Sequence, residues 1–226
     1  MAKIGMLNEG ALHAALKSDY LGEDGAAEVP FSGFVADVVR DGVIYEIQTS
    51  SFSGLGRKMK QLADLAPVVL VHPIAQRKTL VRLQDAETGE VVSRRSPKRG
   101  AIAHILRELV YLPELLNHQN FAVEVVLTEE EEQQAYDPKA RRGRGGWRRR
   151  GRYLLDVVER LRINGPDDLW VFVRGELPEI FTTQDLAQAM EQPKALGQQL
   201  AYCLRHLGAI EICGKTGNAL NYRRIG

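Results

Sequence analysis

The chain is poor in the features that define several common protein classes. It has two cysteines, Cys203 and Cys213, whose spacing fits no metal motif and at most allows one disulfide. It has no run of about twenty apolar residues and no signal-peptide pattern, so we expect a soluble, cytoplasmic protein without membrane contact. It also lacks a G-x-x-x-x-G-K-[ST] phosphate loop, which argues against nucleotide hydrolysis by that route.

Net charge is nearly absent too, but the charged residues are segregated along the chain. The 226 residues carry a formal charge of +1, and 44% of them are hydrophobic, which is ordinary for a globular protein. Residues 129–132 are all glutamate, whereas residues 139–152 contain one lysine and seven arginines without an acid. This separation predicts a local site for a polyanion.

The stretch 34–48 predicts a β-hairpin with two facing acids. Asp41-Gly42 between two apolar runs indicates a two-residue turn, which fixes the register and places Asp37 opposite Glu46. Carboxylates about 4.5–5.5 Å apart at Cβ repel each other. Their neighbours on this face are apolar, so the face is expected to be covered and the acids to need partners. A divalent cation between them explains the pair most simply, and two acids facing water are the alternative.

This hairpin resembles the active-site hairpin of the PD-(D/E)xK nuclease superfamily. Asp37 and Glu46 stand at the acidic positions, and Gln48 stands where the usual pattern has lysine. The resemblance implies a restriction-endonuclease-like α/β fold, in which a mixed sheet is flanked by helices. It covers roughly residues 1–75: a helix at 7–17, the hairpin, a helix at 55–65 and a buried strand at 68–72.

The same resemblance implies metal-dependent hydrolysis of phosphodiester bonds. Asp37 and Glu46, helped by the backbone carbonyl of Ile47, would bind Mg²⁺ or Mn²⁺. Glu9, on the inward face of the first helix, would add a third carboxylate near the metal. Gln48 would orient a water molecule.

Gln48 brings no positive charge, so the charge that the family's lysine supplies must come from elsewhere. Lys58 or Lys60 on the following helix could supply it, and the alternative is that both lysines lie on a solvated helix face. The missing lysine also leaves open an inactive protein that only binds nucleic acid.

Residues 128–152 are predicted to be a linker between a nuclease-like domain at 1–127 and a second domain at 153–226. Its glycines and charges cannot form a core, but its arginines can contact phosphates and Trp147 can stack on an unpaired base. A purely solvated linker is the alternative, and the same two interpretations apply to the basic loop 94–100. The predicted nucleic-acid contacts of the linker are Arg141, Arg142, Arg144, Trp147, Arg148, Arg149 and Arg150.

The last part of the chain resembles a winged helix by its pattern of elements alone. A helix at 153–161 precedes two more, at 181–190 and 193–207, and a hairpin at 209–225 follows. The second helix of such a pair enters the DNA major groove, although winged helices also dock proteins. The residues expected to face DNA are Lys194, Gln198, Tyr202 and Arg205 on this helix and Lys215 in the wing.

These patterns together predict a Mg²⁺- or Mn²⁺-dependent nuclease that acts on nucleic acid, most simply DNA. The alternatives are an inactive nucleic-acid-binding or regulatory protein, and a subunit that docks a repair or defence assembly through its winged helix. The sequence leaves open whether two copies pair to cut both strands.

Overall fold

The computed structural model describes residues 10–83, 91–137 and 146–225. The helices are α1 (Ala11–Leu21), α2 (Gly56–Ala63), α3 (Leu106–Leu109), α4 (Thr183–Ala189) and α5 (Lys194–His206), with 3-10 turns at Ile102–Ile105, Leu115–Asn117 and Asp167–Phe172. The strands are β1 (Ala26–Phe31), β2 (Phe34–Arg40), β3 (Val43–Ile47), β4 (Val68–Leu83), β5 (Val91–Arg95), β6 (Phe121–Tyr136), β7 (Trp147–Ile163), β8 (Ile210–Thr216) and β9 (Ala219–Arg224).

Seven strands form one mixed sheet in the order β1-β2-β3-β4-β6-β7, with β5 paired to the distal half of β4. The neighbours β3, β4 and β6 run parallel, and the remaining pairs are antiparallel. Helix α1 packs Leu12 and Leu16 on one face of the sheet. Helix α2 packs Met59 and Leu62 on the other face. The prediction of a mixed α/β sheet flanked by helices is therefore confirmed.

From its turn as far as Val38, which pairs with Tyr45, the hairpin between β2 and β3 has the predicted register, and the predicted pair of Asp37 with Glu46 is not among its paired residues. Val39 pairs with Ile44 and Arg40 pairs with Val43. Asp41 and Gly42 form the turn with φ of 53° and 76°. Positive φ at both central residues is what a two-residue hairpin turn requires, because its backbone must match the twist of the strands.

The prediction of an unstructured linker is wrong for the described parts of 128–152. Strand β6 continues to Tyr136 and β7 begins at Trp147, so the large sheet crosses the boundaries predicted at 127/128 and 152/153. The acidic run 129–132 lies between two basic strands, where Arg77 of β4 pairs with Glu129 and Arg152 of β7 pairs with Glu130. Charged side chains can therefore line these strands because neighbouring strands supply their partners.

The helix predicted at 153–161 is also wrong, because this segment belongs to β7. Its apolar residues match helical spacing, but the segment pairs along its length with β6, for example Leu161 with Val125. Tertiary pairing overrides the local pattern in this segment.

The C-terminal part contains the predicted pair of helices followed by a hairpin. Thr182 begins α4 as its N-cap, with its hydroxyl accepting from the amides of Gln184 and Asp185. An isolated bridge between Phe181 and Tyr222 joins the hairpin β8–β9 to the residue before the N-cap of α4. Helix α5 and helix α3 belong to the same buried apolar cluster, so the core continues from the large sheet into this part. Among the described helices, none has the length and apolar character needed to cross a membrane.

Candidate active site

Asp37 and Glu46 lie at one cavity of about 220 Å³ where β3 ends. Asp37 comes from β2 and Glu46 from the neighbouring β3, whose last residue, Ile47, pairs with Val71 of the parallel strand β4. The structure thus brings the two predicted acids together. The cavity is also lined by His13 of α1 and Lys58 of α2, so the helices on both faces of the sheet contribute to it.

The Asp37 carboxylate is held in its ionised form. Its Oδ2 accepts a hydrogen bond from the Ile47 amide at 2.8 Å and lies 3.3 Å from Nε2 of His13. Burial alone would raise the pKa of Asp37, but the hydrogen bonds from His13 and the Ile47 amide hold that pKa below its ordinary value. Asp37 is therefore an anion at neutral pH and can act as an oxygen ligand.

The Glu46 carboxylate is more buried and only partly satisfied. Its side chain is 8% exposed, and its Oε2 accepts from Nζ of Lys58 at 2.7 Å. Burial raises the pKa of Glu46 more than Lys58 lowers it, and the nearby Asp37 charge raises it further. Its Oε1 is buried without a hydrogen-bond partner among the described residues. A buried, unpaired carboxylate oxygen is costly, so this atom marks a place for a donor or a cation.

Gln48 is tied into the loop that follows β3. Its side-chain nitrogen donates to Oγ of Ser50 at 2.9 Å and to the carbonyl of Ser51 at 2.7 Å. The Gln48 backbone carbonyl lies 2.7 Å from Nδ1 of His72. Both amide hydrogens of the side chain are thus engaged, and its oxygen is the atom that can orient a water molecule.

The structure distinguishes between the two lysines that could supply positive charge. Lys58 contacts Glu46 and also donates to the carbonyl of Val35 at 3.3 Å. Lys60 instead pairs with Asp64 on its own helix. Lys58 is therefore the lysine of the cavity.

Two further site residues are His13, which belongs to α1, and Glu9, which precedes α1 in the sequence. His13 lines the cavity beside Asp37, a position that sequence reasoning did not give it. The signal was its place three residues before Leu16, whose side chain is buried. Glu9, the predicted third carboxylate, lies outside the described residues.

The cavity offers oxygen ligands of the kind that magnesium prefers. In the described part of the chain, no three His, Cys, Asp or Glu side chains form a metal-binding group. Magnesium, however, is usually held by one or two carboxylates and completes its shell with water and substrate phosphate. Asp37 and Glu46, with one unpaired buried oxygen, fit that set.

The arginine-rich segment is placed only in part. Trp147 is half-buried in β7, with the Arg82 guanidinium 4.7 Å from its ring centroid and the Tyr136 ring edge-on at 5.8 Å. A base that stacks on Trp147 would have to compete with these neighbours. Arg148 pairs with Asp137, and Arg149 and Arg150 are exposed on β7. Outside the described residues lie Arg141, Arg142 and Arg144.

The predicted DNA-facing residues of α5 lie together at a second cavity of about 770 Å³ between α5 and the β8–β9 hairpin. The residues of α5 that line it are Lys194, Gln198, Tyr202 and Arg205. Lys215 is exposed on β8. The helix and the hairpin thus present one open, partly basic surface.

Comparison with known proteins gives relatives without an assigned activity. A family model described as "Domain of unknown function (DUF8091)" matches residues 10–164, which end one residue after β7. An "Uncharacterized protein" of Treponema pallidum (strain Nichols) is 32% identical over 225 residues, which are 98% of this chain and 87% of the relative. No solved structure matches the chain.

Proposed function

The chain belongs to the DUF8091 family, and we propose that it is a Mg²⁺- or Mn²⁺-dependent nuclease with its active site at Asp37 and Glu46. The observation that carries the proposal is the buried Oε1 of Glu46, which has no hydrogen-bond partner in the described part of the chain and lies in a cavity that Glu46 shares with Asp37. Nucleic acid, most simply DNA, is the proposed substrate. The restriction-endonuclease-like interpretation of the sheet and the winged-helix interpretation of α4–β9 belong to the same proposal.

Each residue of the cavity would have its own role in phosphodiester hydrolysis. Asp37 and Glu46 supply carboxylate oxygens, and the Ile47 carbonyl is a third proposed ligand. A bound divalent cation would polarise the phosphoryl oxygen and lower the pKa of a water molecule. The Gln48 side-chain oxygen would accept a hydrogen bond from the attacking water and so orient it.

Lys58 would supply the positive charge that Gln48 cannot. Its ammonium group already lies in the cavity at 2.7 Å from Glu46, and its side chain is 28% exposed. Binding of a cation at Glu46 would weaken the ion pair and allow the ammonium to turn to a phosphate oxygen. There it would stabilise the negative charge that develops in the transition state.

The contacts of Asp37 and Glu46 also support a second candidate function, that of a non-catalytic protein. Lys58 neutralises Glu46 and His13 contacts Asp37, so both acids have basic partners without a metal. A non-catalytic protein that binds nucleic acid would keep these pairs. Docking of a protein partner through the surface between α5 and the β8–β9 hairpin would be compatible with either function.

Cleavage of labelled DNA and RNA, single- and double-stranded, tests the proposal. We expect wild type to cut at least one substrate in Mn²⁺, and EDTA or Asp37→Ala to abolish the cutting, because either change removes the cation. Asp24→Ala, at an exposed aspartate after α1, is the control and should leave cleavage unchanged. No cleavage of any substrate would support the non-catalytic candidate instead, and equal cleavage by wild type and Asp37→Ala would contradict the assignment of the active site.

A further inference from the structure

A groove with a strong excess of positive charge lies beside the distal half of β4. We call it the basic groove; its volume is about 700 Å³. The cations that line it are Lys78, Lys98, Arg99, Arg107 and Arg149. Among its described lining residues the acid is Glu132, which pairs with Lys78 at 3.2 Å. Within the described residues, most of the positive charge in this groove therefore has no acidic partner and can meet an anionic ligand.

The loop that carries Lys98 and Arg99 is fixed against β4 at both ends. The Ser96 amide donates to the Lys78 carbonyl at 2.8 Å, and the Gly100 amide donates to the Ala75 carbonyl at 2.9 Å. A Cβ on Gly100 would lie 2.4 Å from the Ala75 oxygen, so the loop can approach this closely only with glycine. The two cations are thus held at the edge of the groove, and less entropy is lost when they bind a partner.

The basic groove is connected to the candidate active site through a short chain of polar contacts. Lys78 of the groove lies 3.7 Å from Oε2 of Glu130, which is paired with Arg152. Arg152 in turn donates to the carbonyl of Thr49, and Thr49 lines the cavity of the two acids. The groove and the candidate active site are therefore neighbouring places on the sheet.

Strand β4 passes both places. Val71 pairs with Ile47 at the acidic cavity, and Lys78 lies seven residues further along the strand.

We propose that the basic groove binds the phosphate backbone of duplex DNA. That the same DNA is cut at Asp37 and Glu46 rests on the proposed nuclease function, whereas binding of the backbone in the groove does not require cleavage. The cations suit a polyanion, because each ammonium or guanidinium group can contact a separate phosphate.

Binding of a fluorescein-labelled 24-base-pair duplex, measured by anisotropy at several salt concentrations, tests this inference. The Glu46→Gln background prevents cleavage during the measurement. In it, Arg99→Glu is expected to weaken binding on the order of tenfold and to lower the slope of log affinity against log salt by about one. Gly100→Ala, which alters no charge, should weaken binding as well because it displaces the loop.

Arg174→Glu makes the same change of charge at an exposed arginine outside the groove, and it should leave the affinity close to that of the parent. Equal effects of Arg99→Glu and Arg174→Glu would overturn the inference, and so would a duplex that does not bind. Polyglutamate that competes as well as DNA would also overturn it in favour of an acidic protein partner. Groove-dependent binding by a wild-type protein that never cuts DNA would support the groove and contradict only the proposed nuclease function.

Discussion

Replacing Glu46 by glutamine is expected to lower the rate of DNA cleavage in Mn²⁺ by about 10²–10³-fold. Glutamine has the shape of glutamate, and its side-chain oxygen can still accept the hydrogen bond from Lys58. It removes the negative charge that would hold the cation next to Asp37. The rate should be measured under single-turnover conditions, so that slow product release does not hide the effect.

The stability of the Glu46→Gln protein shows whether Glu46 has a functional or a stabilising role. Because burial raises the pKa of Glu46 in the folded protein, its ionised form is less favourable there than in the unfolded chain. The carboxylate therefore destabilises the fold at neutral pH, and Gln should leave the free energy of unfolding unchanged or raise it. A loss of activity without a loss of stability is typical of a residue kept for function.

Glu124→Gln is the matched control, because Glu124 and Glu46 are each 6% exposed. Glu124 is bonded to Tyr20 and pairs with Arg162 at 2.7 Å, away from the acidic cavity. Its replacement should lower stability and leave the cleavage rate of the folded protein unchanged. Equal cleavage by wild type and Glu46→Gln would contradict the assignment of Glu46.

Replacing Arg152 by methionine is expected to lower the free energy of unfolding by about 3–5 kcal/mol. Glu130 has no exposed surface, and Arg152 donates to its two carboxylate oxygens at 2.7 and 2.9 Å. Methionine keeps much of the apolar volume of arginine but leaves the glutamate charge buried with Lys78 at 3.7 Å and the Thr128 hydroxyl at 2.9 Å. Urea denaturation followed by circular dichroism gives the size of the loss.

Two variants show whether the loss comes from the buried charge. Arg150→Met changes an exposed arginine of the same strand and should cost less than about 0.5 kcal/mol. Glu130→Gln combined with Arg152→Met should recover part of the stability, because the uncompensated charge is then removed. If Arg152→Met and Arg150→Met have the same small effect, the buried ion pair does not stabilise the fold.

The hairpin shows how far sequence reasoning reaches when local chemistry decides the structure. A two-residue turn allows few registers, so Asp41-Gly42 was sufficient to predict the pairing of β2 with β3 and to bring Asp37 and Glu46 to one place. Lys58 and His13 were harder to assign because they reach the cavity from helices on opposite faces of the sheet. Which of two nearby lysines turns inward depends on how α2 is docked, and no local pattern contains that information.

The long strands β6 and β7 show where sequence reasoning failed. Residues 129–132 resemble a solvated linker when their charge is considered alone. In the structure Glu130 is wholly buried, because Arg152 and Lys78 come from strands on either side of it. Strand partners far apart in sequence cannot be identified from one segment, so the described parts of the linker at 128–152 and the helix at 153–161 were both predicted wrongly.

Diffraction from a crystal soaked in MnCl₂ tests the central claim most directly, because manganese is located by its anomalous signal. We predict a peak between the carboxylates of Asp37 and Glu46, in contact with Oε1 of Glu46, the oxygen without a hydrogen-bond partner among the described residues. Lys58 should then have moved away from Glu46. Crystals of the whole chain that show no peak there at saturating manganese, with Lys58 still hydrogen-bonded to Glu46, would contradict the proposed metal site.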